Sequence, residues 1–276
     1  AKVATSEMGK PLKESIGEVE KCAWALEFYA DHGDSFLSDE VLNTDARKSF
    51  LTFEPLGVIG SIMPWNFPYW QALRFAAPCL MAGNVIVMKP SRVTMQSGIE
   101  IEKAFTESGM PDGIFQTVVG SVESANHLID SDVNAVTFTG STNAGAKVGE
   151  RAAKHLKKCV LELGGSDPFI VLDDAIIEKA AEGAVKGRFI NCGQSCVASK
   201  RFFVGKNIAE EFIELFIKKA SQLKIGDPMS IETDIGPLSS KDGLETISGI
   251  VEDAKEKGAE ILLGGFEIDG KGFFYK

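Results

Sequence analysis

Short apolar runs alternate with segments of helical periodicity from residue 50 onwards, and this alternation limits the possible folds more than any other feature of the sequence. Repeated βαβ units require a parallel sheet with helices on both faces. We therefore expect a Rossmann-like α/β domain. Its predicted strands are residues 57–63, 85–88, 115–119, 135–139 and 159–163, and its predicted helices are 69–81, 95–108, 121–129 and 144–155.

The sequence also predicts a long helix before this series and a second α/β series after it. Apolar residues recur every three or four positions over residues 11–32, as on a surface helix. The second series has predicted strands at 169–172, 201–204 and 260–263 and predicted helices at 178–190, 209–223 and 241–257. We therefore expect two domains, residues 1–163 and residues 164–276.

The charge balance excludes two classes of partner. The chain has 29 Lys and Arg residues against 39 Asp and Glu residues, a net charge of −10. Nucleic acids and anionic membranes require a basic surface, so we expect neither as a partner. Five scattered cysteines, with no signal peptide and no apolar run of membrane-spanning length, indicate the reducing cytoplasm.

Cys196 lies at the centre of the segment GRFINCGQSCVASKR, residues 187–201. A turn of small residues before a thiol leaves room for a substrate carbonyl to reach sulfur, which makes Cys196 a candidate nucleophile. The alternative is that Cys196 packs as a small apolar side chain, as lone cysteines commonly do. Cys192 completes a C-x-x-x-C pair, but no second Cys pair or His cluster accompanies it, so we expect no metal site.

Two motifs with candidate catalytic side chains follow predicted strands, where open α/β sheets bind ligands. In MPWNFP, residues 63–68, two prolines stiffen a turn around Asn66, whose amide could donate to an oxyanion. The alternative is a rigid turn without a catalytic role. In LELGGS, residues 161–166, Glu162 ends an apolar run. Glu162 is either a general base or a partnered structural carboxylate.

Two other motifs have the character of a nucleotide site. In VMKPSR, residues 87–92, a predicted strand ends at Lys89, a cation that suits a ribose or a phosphate. In FTGSTNAG, residues 138–145, a strand runs into a Gly and hydroxyl turn that opens a helix. The free amides of that helix could bind pyrophosphate, or the turn could serve only as a cap.

In this order and at these separations, MPWNFP, KPS, FTGSTNAG, ELGG and GQSC resemble the NAD(P)-dependent aldehyde dehydrogenase family. The resemblance runs from EMGKP at residues 7–11 through GDP at 226–228 to GFFY at 272–275. The segment PWNFPYWQALRFAAP, residues 64–78, is most similar to succinate-semialdehyde dehydrogenases. The resemblance to the family implies a Rossmann-like cofactor domain, a second α/β catalytic domain, a small-molecule aldehyde as substrate and NADP or NAD as cofactor.

The resemblance also implies a role for each matched residue. Cys196 would be the nucleophile and Glu162 the general base, while Asn66 and the Cys196 backbone N–H would form the oxyanion hole. The implied cofactor-binding residues are Ile62, Met63, Pro64, Trp65, Lys89, Ser91, Arg92, Gly120, Phe138, Gly140, Ser141 and Leu163.

Cofactor choice depends on the third residue after Lys89. Family members that prefer NAD commonly have Glu there, which accepts from the ribose hydroxyls and repels a 2′-phosphate. Here the residue is Arg92, preceded by Ser91. A cation and a hydroxyl suit a phosphate, so we expect NADP to be accepted and preferred.

Substrate choice depends on Arg74, eight residues after Asn66. In semialdehyde dehydrogenases of the family, an Arg at this position reaches the distal carboxylate of the substrate, for which a guanidinium is well suited. The alternative is an exposed helix Arg without such a role.

The chain departs from the family pattern at both ends. It lacks the family's N-terminal segment, and the family continues beyond residue 276 through a Glu-x-Phe-Gly-Pro segment that holds the nicotinamide ribose and a strand used in oligomerisation. We therefore expect an incomplete catalytic domain that associates with a complementary C-terminal segment or forms a homo-oligomer.

Two other functions stay open. One is a non-catalytic cofactor-binding or structural derivative of this fold, against which the presence of Cys196, Glu162 and Asn66 together argues. The other is an acyl-transferring reductase that passes a thioester to coenzyme A or reduces an acyl phosphate. Glu162 argues against it, because a water-activating base is unwelcome there.

Overall fold

The structure is a computed structural model that describes residues 1–276. It divides into two compact units, one of Gly17–Leu163 and one that combines Ala1–Ile16 with Gly164–Lys276. The sequence-based division put residues 1–16 into the first domain, whereas the structure groups them with residues 164–276. The reason is direct contact between segments far apart in sequence: Leu12 N donates to Pro228 O over 2.8 Å, and Lys13 pairs with Asp234.

Nine α-helices and eleven strands make up the chain. The helices are α1 (Lys2–Met8), α2 (Leu12–Phe36), α3 (Pro68–Met81), α4 (Met95–Glu107), α5 (Val122–Asp130), α6 (Thr142–Lys154), α7 (Ile177–Phe189), α8 (Ala209–Ala220) and α9 (Lys241–Glu256). The strands are β1 (Glu40–Val41), β2 (Phe50–Leu51), β3 (Val58–Ile62), β4 (Val85–Lys89), β5 (Phe115–Thr117), β6 (Ala135–Thr139), β7 (Lys158–Glu162), β8 (Asp167–Val171), β9 (Ser199–Val204), β10 (Glu267–Ile268) and β11 (Phe274–Tyr275).

A five-stranded parallel sheet organises the unit of residues 17–163. Its strand order is β5-β4-β3-β6-β7, which is the order of a Rossmann sheet counted from its first strand. The order reverses between β3 and β6, which pair in parallel. The predicted α/β class and the parallel sheet are confirmed.

Apolar side chains from β3, β6, α5 and α6 fill one side of this sheet. Ile129 and Val136 are each 1% exposed, and burying one such side chain contributes about 1.5–3 kcal/mol. Strand β6 is buried along its whole length, as expected of a central strand covered on both faces. This core fixes the positions at which the strands end.

In the second unit, β8 and β9 pair in parallel and are covered by α7 and α8. Its core contains Val171, Ala181, Ala184 and Phe212, with an aromatic cluster in which the Phe202 and Phe216 rings lie 5.6 Å apart. A short antiparallel hairpin, β10–β11, lies near the end of the chain.

The predicted strand at 260–263 is wrong. These residues pair with no other strand, and Gly264 and Gly265, both at positive φ, turn the chain directly afterwards. Their apolar side chains instead line a cavity of about 530 Å³ together with Phe212 and Phe216. An apolar run alone does not make a strand, because a strand also requires a partner strand.

None of the helices combines the length and apolar character that crossing a membrane requires.

Candidate active site

The predicted motifs of the unit 17–163 follow the C-terminal ends of neighbouring strands. Ile62 is in register with Lys89 on one side and with Phe138 on the other, and Thr139 is in register with Glu162. Two backbone bonds tie the segments beyond these ends together: Met63 N donates to Lys89 O over 3.1 Å, and Gly140 N donates to Glu162 O over 3.0 Å. The structure therefore brings Asn66, Lys89 and Glu162 to one edge of one sheet.

Lys89 is 5% exposed at the end of β4. Burial lowers the pKa of its ammonium group, and the positive charge of Arg92 lowers it further. Ser91 caps the short helix that follows, accepting from Val93 N over 3.3 Å. Because two cations here are close and one is buried, an anionic or strongly accepting ligand is electrostatically favoured.

The turn after β6 opens helix α6. The Ser141 hydroxyl accepts from Ala144 N over 3.3 Å, a typical N-cap, and the other first amides of the helix have no acceptor within the helix itself. Gly145 lies where a β-carbon would overlap the Leu163 side chain. The glycine of this motif thus lets α6 approach the segment directly after Glu162.

A cavity of about 440 Å³ lies beside these residues. Its lining includes Ile62, Lys89 and Phe138 from the strand ends and Ala144 and Val148 from α6. A volume of this order is typical of small-molecule sites. Gly120, also predicted for the cofactor, lies beyond β5 and directly before Ser121, the N-cap of α5.

Glu18 on α2 supports the Asn66 turn and was not anticipated from the sequence. It is 5% exposed, and its Oε1 accepts from Tyr69 N over 2.9 Å and from Trp70 N over 2.8 Å. A carboxylate that caps the first turn of α3 also complements the helix dipole. Asn66 itself accepts from Phe67 N over 3.1 Å. Glu18 thereby fixes the start of the helix that follows Asn66.

Glu162 and Arg74 are paired across this edge. Arg74 Nη2 lies 3.3 Å from Glu162 Oε2, and Arg74 Nε donates to Gln71 Oε1 over 2.9 Å. The predicted general base and the predicted substrate-binding guanidinium are therefore in direct contact. Arg74 lies two turns into α3, so the helix that begins beside Asn66 also carries the guanidinium to Glu162.

Cys196 lies in the other unit, in a loop between α7 and β9. The loop contains successive left-handed residues: φ is 53° at Asn191 and 55° at Cys192, followed by 76° at Gly193. For Cys192 this conformation costs about 1–2 kcal/mol, whereas asparagine adopts it more readily. The conformation of Cys192 therefore persists only where surrounding contacts hold it.

The loop is held at several points. Gln194 Oε1 accepts from Ser239 N over 3.1 Å, and Gln194 Nε2 donates to Asn191 O over 3.2 Å. Lys200 Nζ donates to the Cys196 carbonyl over 2.7 Å. Half-buried, Cys196 combines the access and the constrained backbone that a nucleophile needs.

Cys192 has a different environment from Cys196. Desolvation raises the pKa of its thiol to about 12, and its Sγ accepts from Gly236 N over 3.1 Å. Because the thiolate is the reactive form, this environment disfavours reaction at Cys192 near neutral pH. No cluster of three or more His, Cys, Asp or Glu side chains suited to a metal ion is present.

The family model and the similar proteins found by comparison all point to aldehyde dehydrogenases. The model of the aldehyde dehydrogenase family matches residues 1–276. A protein of Synechocystis sp. named "Probable succinate-semialdehyde dehydrogenase, NADP(+)" is 47% identical over 276 residues, which cover 100% of this chain and 61% of that protein. The succinic semialdehyde dehydrogenase of Streptococcus pyogenes, solved with NADP+, superposes with a TM-score of 0.96 at 37% identity and covers 99% of this chain and 61% of its own.

A third similar structure contains the other cofactor. PnpE in complex with nicotinamide adenine dinucleotide superposes with a TM-score of 0.95 at 35% identity over 100% of this chain and 58% of that one. The chain thus spans about three fifths of the length of the relatives that it matches.

Proposed function

The chain belongs to the aldehyde dehydrogenase family, and on this premise we propose that the protein oxidises succinate semialdehyde to succinate. The hydride acceptor is NADP, which is preferred, or NAD. The single observation that carries the proposal is the contact of 3.3 Å between Arg74 Nη2 and Glu162 Oε2. The contact shows that the Arg74 guanidinium can reach a carboxylate at the position of the candidate base. An aldehyde with a distal carboxylate fits this arrangement.

Covalent catalysis would begin at Cys196. Its thiolate adds to the aldehyde carbon, a C–S bond forms, and the carbonyl oxygen becomes an alkoxide. The Asn66 amide and the Cys196 backbone N–H would donate to that oxygen. Removing one such donor typically slows catalysis by about a hundredfold to a thousandfold.

The residues at the sheet edge fit a nucleotide. Lys89, Ser91 and Arg92 would hold the ribose and a 2′-phosphate, and the first turn of α6 after Ser141 would hold the pyrophosphate. When bound, the nicotinamide supplies an acceptor for the hydride that leaves the tetrahedral carbon. Arg92 in place of an acidic residue favours NADP, because its charge attracts the additional phosphate.

Glu162 would complete the reaction. The thioester left on Cys196 is hydrolysed when water forms a C–O bond, the C–S bond breaks, and the thiolate is regenerated. Glu162 accepts the proton of the water, a role worth about a hundredfold to ten-thousandfold in rate. For this it must be released from Arg74, whose guanidinium would then be free for the substrate carboxylate.

The test is formation of reduced nicotinamide by the full-length protein with succinate semialdehyde, with NAD and NADP offered separately. A Cys196→Ala variant is the control. We expect turnover with NADP that the control lacks. No turnover with either cofactor, or undiminished turnover in the control, would contradict the proposal. Adding coenzyme A separates hydrolysis from acyl transfer, since only acyl transfer would be accelerated.

We also propose a cytoplasmic homo-oligomer. The five cysteines are all free, as in a reducing compartment. The hairpin β1–β2 leaves apolar side chains exposed, with Val41 at 81% and Phe50 at 43%, which is typical of association surfaces. Light scattering of the full-length protein tests the oligomer, and a monomer at micromolar concentration would contradict it.

A further inference from the structure

Helix α2 contributes a carboxylate to the loop that carries Cys196. Glu14 Oε2 accepts from Asn191 N over 2.7 Å, although the two residues are 177 positions apart in the chain. Asn191 is the first of the left-handed residues described above and is fully buried. The bond therefore holds the backbone at the point where the loop enters its strained conformation.

Charged groups and a backbone amide surround the Glu14 carboxylate. Lys10, in the link before α2, is fully buried and contributes a favourable charge to Glu14. Burial raises the pKa of the Glu14 carboxyl, while the Asn191 amide and the charges of Lys10 and Lys13 lower it and that of Asp234 raises it. The half-buried Glu14 carboxylate is thus compensated by its bond to the Asn191 amide and by nearby positive charge.

The strained turn is connected to the thiol by short local bonds. Gln194 N donates to Asn191 O over 2.9 Å, and Asn191 Nδ2 donates to Gln194 O over 3.3 Å. Cys196 follows two residues later. A displacement of the Asn191 amide would therefore move the segment that presents the sulfur, and a shift of about 1 Å at a reacting atom can cost about a hundredfold in rate.

We propose that Glu14 is a positioning residue for the nucleophile, acting by holding the Asn191 amide. The proposal rests on the proposed function, because it assigns Glu14 to the presentation of Cys196. The feature required for this role is an acceptor oxygen that reaches the Asn191 amide. The negative charge itself is not needed.

Two conservative variants separate the length of the side chain from its negative charge. Glu14→Gln keeps an oxygen at the same distance and loses the charge, whereas Glu14→Asp keeps the charge and loses one methylene of reach. Glu20→Leu, at an exposed position of the same helix, is the matched control. All three are made in the full-length protein, and thermal unfolding establishes that each variant folds.

Aldehyde turnover is the first readout. We expect Glu14→Asp to lower kcat by about tenfold or more with little change in KM for NADP, and Glu14→Gln and Glu20→Leu to stay close to wild type. A folded Glu14→Asp with unchanged kcat would overturn the proposal. So would the opposite order, with Glu14→Gln impaired and Glu14→Asp active, because charge would then be what matters.

Alkylation of Cys196 by iodoacetamide, followed by mass spectrometry, is the second readout and needs no aldehyde. The alkylation rate should depart from wild type in Glu14→Asp and not in Glu14→Gln. If wild-type protein oxidises no aldehyde, the proposed function fails while this readout still decides the role of Glu14. Equal alkylation rates in all variants would show that Glu14 does not position the thiol.

Discussion

Arg74 and Glu162 form an ion pair with Nη2 and Oε2 3.3 Å apart. The Arg74 side chain is 33% exposed and that of Glu162 is 55% exposed, and ion pairs of this kind contribute less than about 1 kcal/mol. The pair can therefore open at little cost, and under the proposed function a substrate carboxylate would take the place of Glu162 on the guanidinium. Release from Arg74 would free the Glu162 carboxylate to accept a proton from water.

Replacing Arg74 with Ala should raise KM for succinate semialdehyde much more than KM for butanal. The reason is that only the first substrate has a carboxylate for the guanidinium, whose charged hydrogen bonds are worth about 1.5–3 kcal/mol. Steady-state kinetics with both aldehydes check this. An equal effect on the two substrates would contradict the assignment of Arg74.

Replacing Glu162 with Gln should stop the reaction at the thioester. A rapid burst of reduced cofactor, close to one per Cys196, should be followed by turnover slower by about a hundredfold or more. Stopped-flow absorbance measures both phases, and Cys196→Ala, which should show no burst, is the control. Steady turnover at the wild-type rate would mean that another group activates water.

Replacing Arg92 with Glu should reverse the preference for the cofactor. The carboxylate would repel the 2′-phosphate and accept from the ribose hydroxyls, so the Kd for NADP should rise by about tenfold or more relative to that for NAD. Fluorescence titration of wild type and variant gives both constants. Wild-type protein that binds NAD more tightly than NADP would refute the role of Arg92.

Replacing Gly236 with Ala should destabilise the unit that carries Cys196. A β-carbon there would overlap the carbonyl oxygen of Gly9, and such overpacking typically costs about 1–3 kcal/mol. Gly249→Ala is the matched control, since that glycine lies in α9 with no atom near its missing β-carbon. It should stabilise by about 0.5–1 kcal/mol. Urea unfolding measures both, and equal shifts would contradict the close approach at Gly236.

The buried Cys192 thiol should make stability depend on alkaline pH. Its pKa rises from 9.0 to about 12 on burial, so the folded state holds the proton more tightly than the unfolded state. The resulting stability is fully present below pH 9.0 and is lost as pH rises towards 12. The free energy of unfolding should therefore fall more steeply with pH in wild type than in Cys192→Ala, by up to about 1.4 kcal/mol per pH unit. Parallel curves above pH 9.0 would show that the thiol is not buried.

Local patterns in the sequence predicted most of the parallel sheet. The strands of residues 17–163 are apolar runs ended by Gly, Pro or polar turns, so composition and periodicity were enough to locate β3, β4 and β6. Because parallel strands end at a common edge, the same patterns placed Asn66, Lys89 and Glu162 together. Their catalytic roles stay predictions.

Long-range contacts were beyond the reach of these patterns. Glu14 and Glu18 look like ordinary charged positions of an amphipathic helix, and nothing nearby in sequence indicates their partners Asn191 and Tyr69. The predicted strand at 260–263 was wrong for a related reason, since apolar character does not specify a pairing partner. The grouping of residues 1–16 with 164–276 likewise depends on contacts more than 200 positions apart, as between Leu12 and Pro228.

The bond between Glu14 and Asn191 has a consequence for the order of events during synthesis. Residues 17–163 form one compact unit whose members are all present once residue 163 has been made, whereas Glu14 meets Asn191 only after 177 further positions have been translated. Contacts of such large sequence separation close slowly, and domains form in the order in which they emerge. A nascent chain should therefore complete the five-stranded sheet and the cavity beside it first. The Cys196 loop should reach its final conformation only after Glu14 has met a partner that is translated much later.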